Sequence, residues 1–215
     1  MKKLPLILIG GGGHCRSCID VIKLEDKYSI EGILDANESP GQQVDGYVIL
    51  GNDNLIEELV HKEYHFLITV GQIKSAEIRL KLFEKLQQHN AILATVVSPK
   101  ANISPDAKIG KGTIVLHGVV INAGAVIGLN CIINSLSLIE HDTKVGNHTH
   151  ISTGALVNGG CSLGNNTFIG SGSVISNNVN VADHIVIGAG SLVLNDLVQP
   201  GVYAGSPAKR IKDEQ

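Results

Sequence analysis

The 215-residue chain has no tryptophan, three phenylalanines, four tyrosines and one methionine, so aromatics make up only 3% of it. A core without aromatics must be assembled from Ile, Val, Leu and Ala, and the 43% apolar content is enough to bury one. No sign of charge dominates: 17 Lys and Arg stand against 20 Asp and Glu, with no basic run and no interleaving of basic with aromatic residues. That excludes the usual nucleic-acid surface, so nucleic acid is not expected as a partner. Long hydrophobic runs are missing too. The N-terminal MKKLPLILI is cut short by glycines without a small-residue cleavage site, and nothing later approaches the roughly 18 apolar residues of a membrane span. A cytoplasmic protein with no membrane span is expected. The four cysteines form one C-x-x-C, Cys15 and Cys18, and two distant singles, Cys131 and Cys161. Reduced, buried thiols fit that spacing better than a disulfide framework or a four-thiolate zinc site.

What the chain does have is glycine, 25 residues of it, and a regular period. An Ile, Val or Leu recurs at every sixth position: Ile103, Ile109, Val115, Ile121, Ile127, Ile133, Ile139, Val145, Ile151, Val157, Leu163, Ile169, Ile175, Val181, Ile187 and Val193. Four residues after each stands a second, mostly small residue, running from Ala107 and Thr113 through Cys131 and Cys161 to Ser191 and Leu197. Six matches neither the 3.6 of a helix nor the 2 of a lone strand; it matches a solenoid of short strands joined by turns. The stiff branched residue points inward and the small one fills the corner beside it. Gly110, Gly128, Gly146 and Gly164 recur at the spacing of a three-sided coil and read as equivalent turns.

Residues 1–98 have another texture. LPLILIG, YSIEGIL, HFLITVG and AILATVV read as strands; HCRSCIDVIKLED, NDNLIEELVHK and SAEIRLKLFEKLQQHN read as helices. Strands alternating with helices predict a small parallel sheet covered on both faces, a Rossmann-like domain, followed by the all-β solenoid over 99–215. The turn Gly10-Gly11-Gly12-Gly13-His14 follows the first strand and opens a helix, the setting in which bare N–H groups hold phosphates; its alternative is a plain tight turn. Asp35 ends the second strand, where an acid reaches a ribose or sugar hydroxyl. Cys15 stands where a dinucleotide fingerprint has its third glycine, and the domain is short for two mononucleotide halves, so a single nucleotide diphosphate fits better than a dinucleotide.

Three histidines, His141, His148 and His150, crowd the segment IEHDTKVGNHTH. None falls on an inward hexad position, so all are expected to face outward or sit at corners. They can be an acid–base group with helpers, ligands of a metal, or solvated surface groups.

The hexads resemble those of the hexapeptide-repeat acyltransferases, whose prism is a left-handed parallel β-helix. Joined to this front domain, they resemble the bacterial acetyltransferases that modify nucleotide-activated amino sugars or sialic acids, a resemblance spanning essentially the whole chain. It implies a homotrimer with acetyl-CoA clefts between neighbouring prisms, and transfer of acetyl to the 4-amino group of a UDP-linked amino-dideoxy sugar. It implies His141 as general base with Asp142 as its orienting partner, and Gly12, Gly13, His14, Asp35, Ala36, Gly71 and Asn134 as substrate contacts. Family members often carry a second acid where this chain has Ala36. His150, Ser171, Ala189, Lys209 and Arg210 are implied on the acetyl-CoA side, and no metal is needed; the VYAGSPAKRI segment that holds the last two equally reads as a cap on the solenoid. His148 matches no functional position and is expected as a solvated corner residue. Three other readings stay open: O-acetylation of a sialic acid or related sugar, a γ-class carbonic anhydrase-like metal site built from the three imidazoles, and a non-catalytic scaffold that binds sugar nucleotides.

Overall fold

The structure is a computed structural model that describes residues 2–73 and 75–212. In the front domain, β1 (Leu4–Ile9), β2 (Tyr28–Leu34), β3 (Gln43–Val44), β4 (Tyr47–Gly51), β5 (His65–Ile68) and β6 (Ile92–Leu93) form one sheet in the order β3-β4-β2-β1-β5-β6. All pairs are parallel except the β3–β4 hairpin. Leu6–Ile9 are completely buried, as expected of a central parallel strand. On one face α1 (Gly13–Glu25) packs Cys15, Cys18, Ile19 and Ile22 against Leu6 and Leu8. On the other, Ile56 and Leu59 of α2 (Ile56–Val60) and Phe83 and Leu86 of α3 (Glu77–Gln88) meet Ile7 and Ile9. The β3–β4 hairpin escaped the sequence reading although Asp45-Gly46, both at positive φ, is the strongest short-range hairpin signal.

The segment AILATVV does not form one front-sheet strand. Ile92–Leu93 pairs with β5, but β7 (Val96–Val97) pairs with Ile114–Val115 and starts the prism. Two short strands only two residues apart, one ending the front sheet and the other beginning the prism, tie the two units tightly. Ala94, Val96, Ile114, Leu116 and Ile132 join the α1 side chains in one shared core. At the same seam the His117 ring bridges Ser98 Oγ (2.6 Å) and Asp20 Oδ2 of α1 (2.7 Å).

The prism has three sheets built mainly of two-residue parallel strands, each paired with the one a full coil later, as in Ile133 with Ile151 and Ile151 with Ile169; longer strands, the last pair antiparallel, close the eight-stranded sheet. First hexad positions from Val115 to Val193 and fifth positions from Thr113 to Leu197 are all buried. Polar fifth residues satisfy themselves internally, with Thr113, Thr149 and Ser173 hydroxyls donating to the carbonyls of Gly128, Gly164 and Gly188 at 2.9 Å. At every sixth residue from Gly112 to Gly190 the backbone is left-handed. Gly110, Gly128, Gly146 and Gly164 are not among these. A Cβ on Gly146 would lie 2.6 Å from the Gly164 carbonyl carbon in the next coil, so close approach between coils, rather than turn conformation, demands glycine there. Among the described residues no helix is long and apolar enough to cross a membrane. All four cysteines are free and buried.

Candidate functional site

The glycine turn divides into two kinds of position. Gly10, at φ +106°, could not carry a side chain, because a Cβ would sit 2.5 Å from Val70. At Gly12 and Gly13 an added Cβ would meet nothing within 4 Å. They face a cavity of about 550 Å³ whose wall includes Gly12, Gly13, His14, Asp35, Ala36 and Gly71, all six of the substrate positions expected in the front domain. No side chain caps α1, whose N-cap is Gly12, so the positive end of the helix opens onto this space. Asp35 braces the turn as well as lining it: Oδ2 accepts from Gly11 N (2.6 Å) and Oδ1 from Asn37 N (2.8 Å).

A second cavity of about 520 Å³ lies where the front domain meets the eight-stranded face of the prism, lined by Asn134, His150, Phe168, Ser171 and Ala189 among others. His14, Gly71 and Ile73 line both cavities, which therefore meet there. Burial, then the Arg79 and His150 charges, push the His14 imidazole down to about 3, and its buried Nε2 has no hydrogen-bond partner.

His148 corrects the expectation of a solvated corner residue, and His150, expected outward on the acetyl-CoA side, lines the second cavity. Both are buried, at 9% and 6% exposure, because outward from the prism here means inward against the front domain. His148, at φ +55°, puts its ring edge-on to Phe83 of α3 at 4.8 Å and its Nδ1 3.0 Å from Asn130 Nδ2. His150 Nδ1 donates to the Gln72 carbonyl (2.6 Å), leaving Nε2 to accept from Asn134 Nδ2 (3.2 Å). Both ring nitrogens of His150 are thus engaged, and the ring lies edge-on to Phe168. Burial lowers His148 to about 4 with help from the Arg79 charge. Burial also lowers His150 to about 4, against the bond to Gln72 that raises it.

His141 is elsewhere. It stands at the corner between the Leu138–Ile139 and Lys144–Val145 strands, across the prism from the face that carries the second cavity. The ring is exposed; its Nδ1 lies 3.0 Å from Asp142 Oδ2, so with Nδ1–H donating, the Nε2 lone pair is free to accept a proton. Among the described residues no three His, Cys, Asp or Glu side chains are gathered to hold a metal ion, and His141 is a corner away from His148 and His150. Lys209 and Arg210 lie on a strand that pairs antiparallel with Gly201–Ala204 over the last coil, and the Arg210 guanidinium donates to the Pro200 carbonyl (2.8 Å from Nη2). Neither lines either of these two cavities, and their strand pairing lies over the end of the prism.

Four residues were not singled out in the sequence. Gln72 and Arg79 reach across the domain seam, Arg79 to Asn130 and Gln72 Nε2 to the His148 carbonyl (3.0 Å). No local pattern announces contacts between residues this far apart in the chain. Gly159 lies under His141, where a Cβ would come 2.6 Å from the ring Nε2; its position one coil after His141 was a usable signal.

The family model described as PglD N-terminal domain matches residues 5–86, and that described as GMPPB C-terminal domain matches residues 93–202. Among solved structures, the acetyltransferase domain of PglB from Neisseria gonorrhoeae is 27% identical, with 96% of this chain and 99% of that chain covered and a TM-score of 0.89. The same domain in complex with acetyl coenzyme A is 26% identical over 98% of this chain and 100% of that one, with a TM-score of 0.88. PerB from Caulobacter crescentus, solved in complex with CoA and GDP-perosamine, is 29% identical over 96% and 97% of the two chains, with a TM-score of 0.89. The chain thus belongs, through its prism, to the GMPPB C-terminal domain family, and with its PglD-type front domain it is similar over both halves together to the hexapeptide-repeat, left-handed β-helix acetyltransferases of nucleotide-activated amino sugars.

Proposed function

We propose that the protein transfers acetyl from acetyl-CoA to the 4-amino group of a UDP-linked amino-dideoxy sugar, in a homotrimer where His141 of one copy serves the cavities of its neighbour. The observation that carries this reading is the meeting of two cavities at His14, Gly71 and Ile73, one beneath a bare glycine turn and the other against the prism. The first suits a nucleotide diphosphate, whose charge the α1 N-terminus and the turn N–H groups favour. The second suits the thioester end of CoA. A sugar extending from one to the other brings its amine to the donor and passes the unpaired His14 Nε2, a buried group that costs about 1–3 kcal/mol unless bonded.

Transfer is direct. The neutral amine attacks the acetyl carbonyl, forming the C–N bond, and the C–S bond breaks as the tetrahedral intermediate collapses. His141 Nε2 takes the proton from nitrogen and returns it to the departing thiolate, while Asp142 holds the ring and stabilises its cation. The buried cysteines take no part: burial raises the thiols of Cys15 and Cys131 to about 11. The trimer reading is supported by the distance in topology between His141 and the cavity face of its own chain, which only a second copy can bridge. GDP is the second reading for the nucleotide, because PerB was solved with GDP-perosamine.

Release of free thiol from acetyl-CoA, followed over UDP- and GDP-linked 4-amino sugars, their 4-hydroxy analogues and free sialic acid, tests the proposal. Release with the UDP 4-amino sugar is expected. Release with the GDP sugar alone would replace the nucleotide, release with hydroxyl acceptors alone would make the enzyme an O-acetyltransferase, and silence toward all would leave a binding scaffold.

A further inference from the structure

The wall shared by the two cavities is held by side chains that the chemistry above does not use. Arg79 lies on α3 at 1% exposure, and every acceptor it bonds is neutral. Its Nη1 donates to the carbonyls of Ile68 (2.9 Å) and Val70 (2.7 Å); its Nη2 donates to Asn130 O (3.1 Å) and Oδ1 (2.6 Å). The first pair brackets the point where β5 runs out into residues 69–73, and the second pair belongs to the prism. Thr69 Oγ1 donates to Gly10 O (2.7 Å), which extends the tie to the glycine turn. At the far end of the same segment Gln72 bonds the His148 carbonyl through Nε2 and accepts from His150. Residues 69–73, which line both cavities, are therefore fastened to the prism at both ends.

Stability does not explain this arrangement. Burying a guanidinium without an opposite charge is expensive, and an apolar side chain of similar volume would fill the space without that cost. Burial lowers Arg79 only to about 10, so it stays protonated at neutral pH, and its charge adds to burial in keeping His14, His148 and His150 neutral.

We infer that Arg79 is a positioning residue for acetyl transfer: by clamping residues 69–73 to the prism through Asn130, it fixes the separation between the bound amine and the bound thioester. The inference rests on the acetyl-transfer reading. Arg79→Met keeps the volume and removes the fork; Asn130→Gly removes the shorter, side-chain half of the prism contact, leaving only the backbone carbonyl, while suiting the left-handed backbone at that turn (φ +51°). In Arg79→Met trimers, kcat should fall roughly a hundredfold, with the separate Kd values for acetyl-CoA and sugar nucleotide within about threefold of wild type, because misplacement costs rate before it costs binding. Amide hydrogens of residues 69–73 should exchange faster. Asn130→Gly should act in the same direction, and the double variant should lose no more than Arg79→Met, since both break one clamp. Wild-type kcat with unaltered exchange in folded Arg79→Met would overturn the inference, as would loss of both affinities in step with kcat. Should Arg79→Met fail to fold, Asn130→Gly carries the same test. A wild type silent toward every acceptor defeats the acetyl-transfer reading; an active wild type matched by Arg79→Met defeats this one.

Discussion

At the scale of single residues, identity in this chain is set mainly by what the next coil brings close. Gly159 is bare because the His141 ring lies over it, and Gly124 because Asp142 Oδ1 would come 2.7 Å from a Cβ there. The proposed base and its partner are thus flanked by glycines, Gly159 one coil after His141 and Gly124 one coil before Asp142. Gly159→Ala should leave the fold intact, because the ring is exposed and can swing away, but swinging breaks its bond to Asp142. A roughly ten- to hundredfold fall in kcat is expected, with melting temperature nearly unchanged. Wild-type turnover in this variant would show that ring placement does not matter to the rate. The pairing of His141 with Asp142 was legible because the two are adjacent; Gly159 required knowing the coil.

At the scale of elements, the prism was almost wholly legible. A period of six states both the strand and the corner, and every first position from Val115 to Val193 is buried as that period requires. What escaped was the seam, because periodicity says which way a side chain points from the prism but not what covers it. His148 and His150 face outward in the hexad frame and are sealed by Phe83 and Gln72. Arg79 likewise reads as a surface residue of an amphipathic helix until Asn130, far along the chain, is folded against it.

This seam has a measurable acid sensitivity. His14, His148 and His150 titrate lower in the folded chain than their ordinary 6.5, at about 3, 4 and 4. Between those values and 6.5 the unfolded chain binds more protons, so their contribution to stability is full above pH 6.5 and is lost as the pH falls toward 4. His148→Asn, which the left-handed turn tolerates, removes one of the three. Melting temperature against pH should therefore fall less steeply from 6.5 to 4 in His148→Asn than in wild type; parallel curves would mean His148 is not held neutral by the seam.

At the scale of the whole molecule, one chain carries both halves of the proposed site but cannot join them. The cavities open on one face of the prism and His141 stands at the opposite corner. Composition and motifs pointed to a Rossmann-like front and an all-β solenoid, whereas the gap between the proposed base and the cavities becomes visible only in three dimensions. With His141 as the proposed base, that gap calls for a second copy beside the cavities, as in the proposed trimer.

Two inactive chains put that requirement to direct test. His141→Ala keeps its cavities and loses the base. Gly12→Trp keeps the base and fills the nucleotide cavity, at a position where φ is −72° and a side chain meets no protein atom within 4 Å of its Cβ. Each alone should lose about two to four orders of magnitude in acetyl transfer. Co-expressed and purified as mixed oligomers, they should regain activity, because the cavity of one chain then faces the His141 of the other. Mixed oligomers as inactive as either parent, or a His141→Ala enzyme that turns over normally by itself, would contradict a site shared between copies.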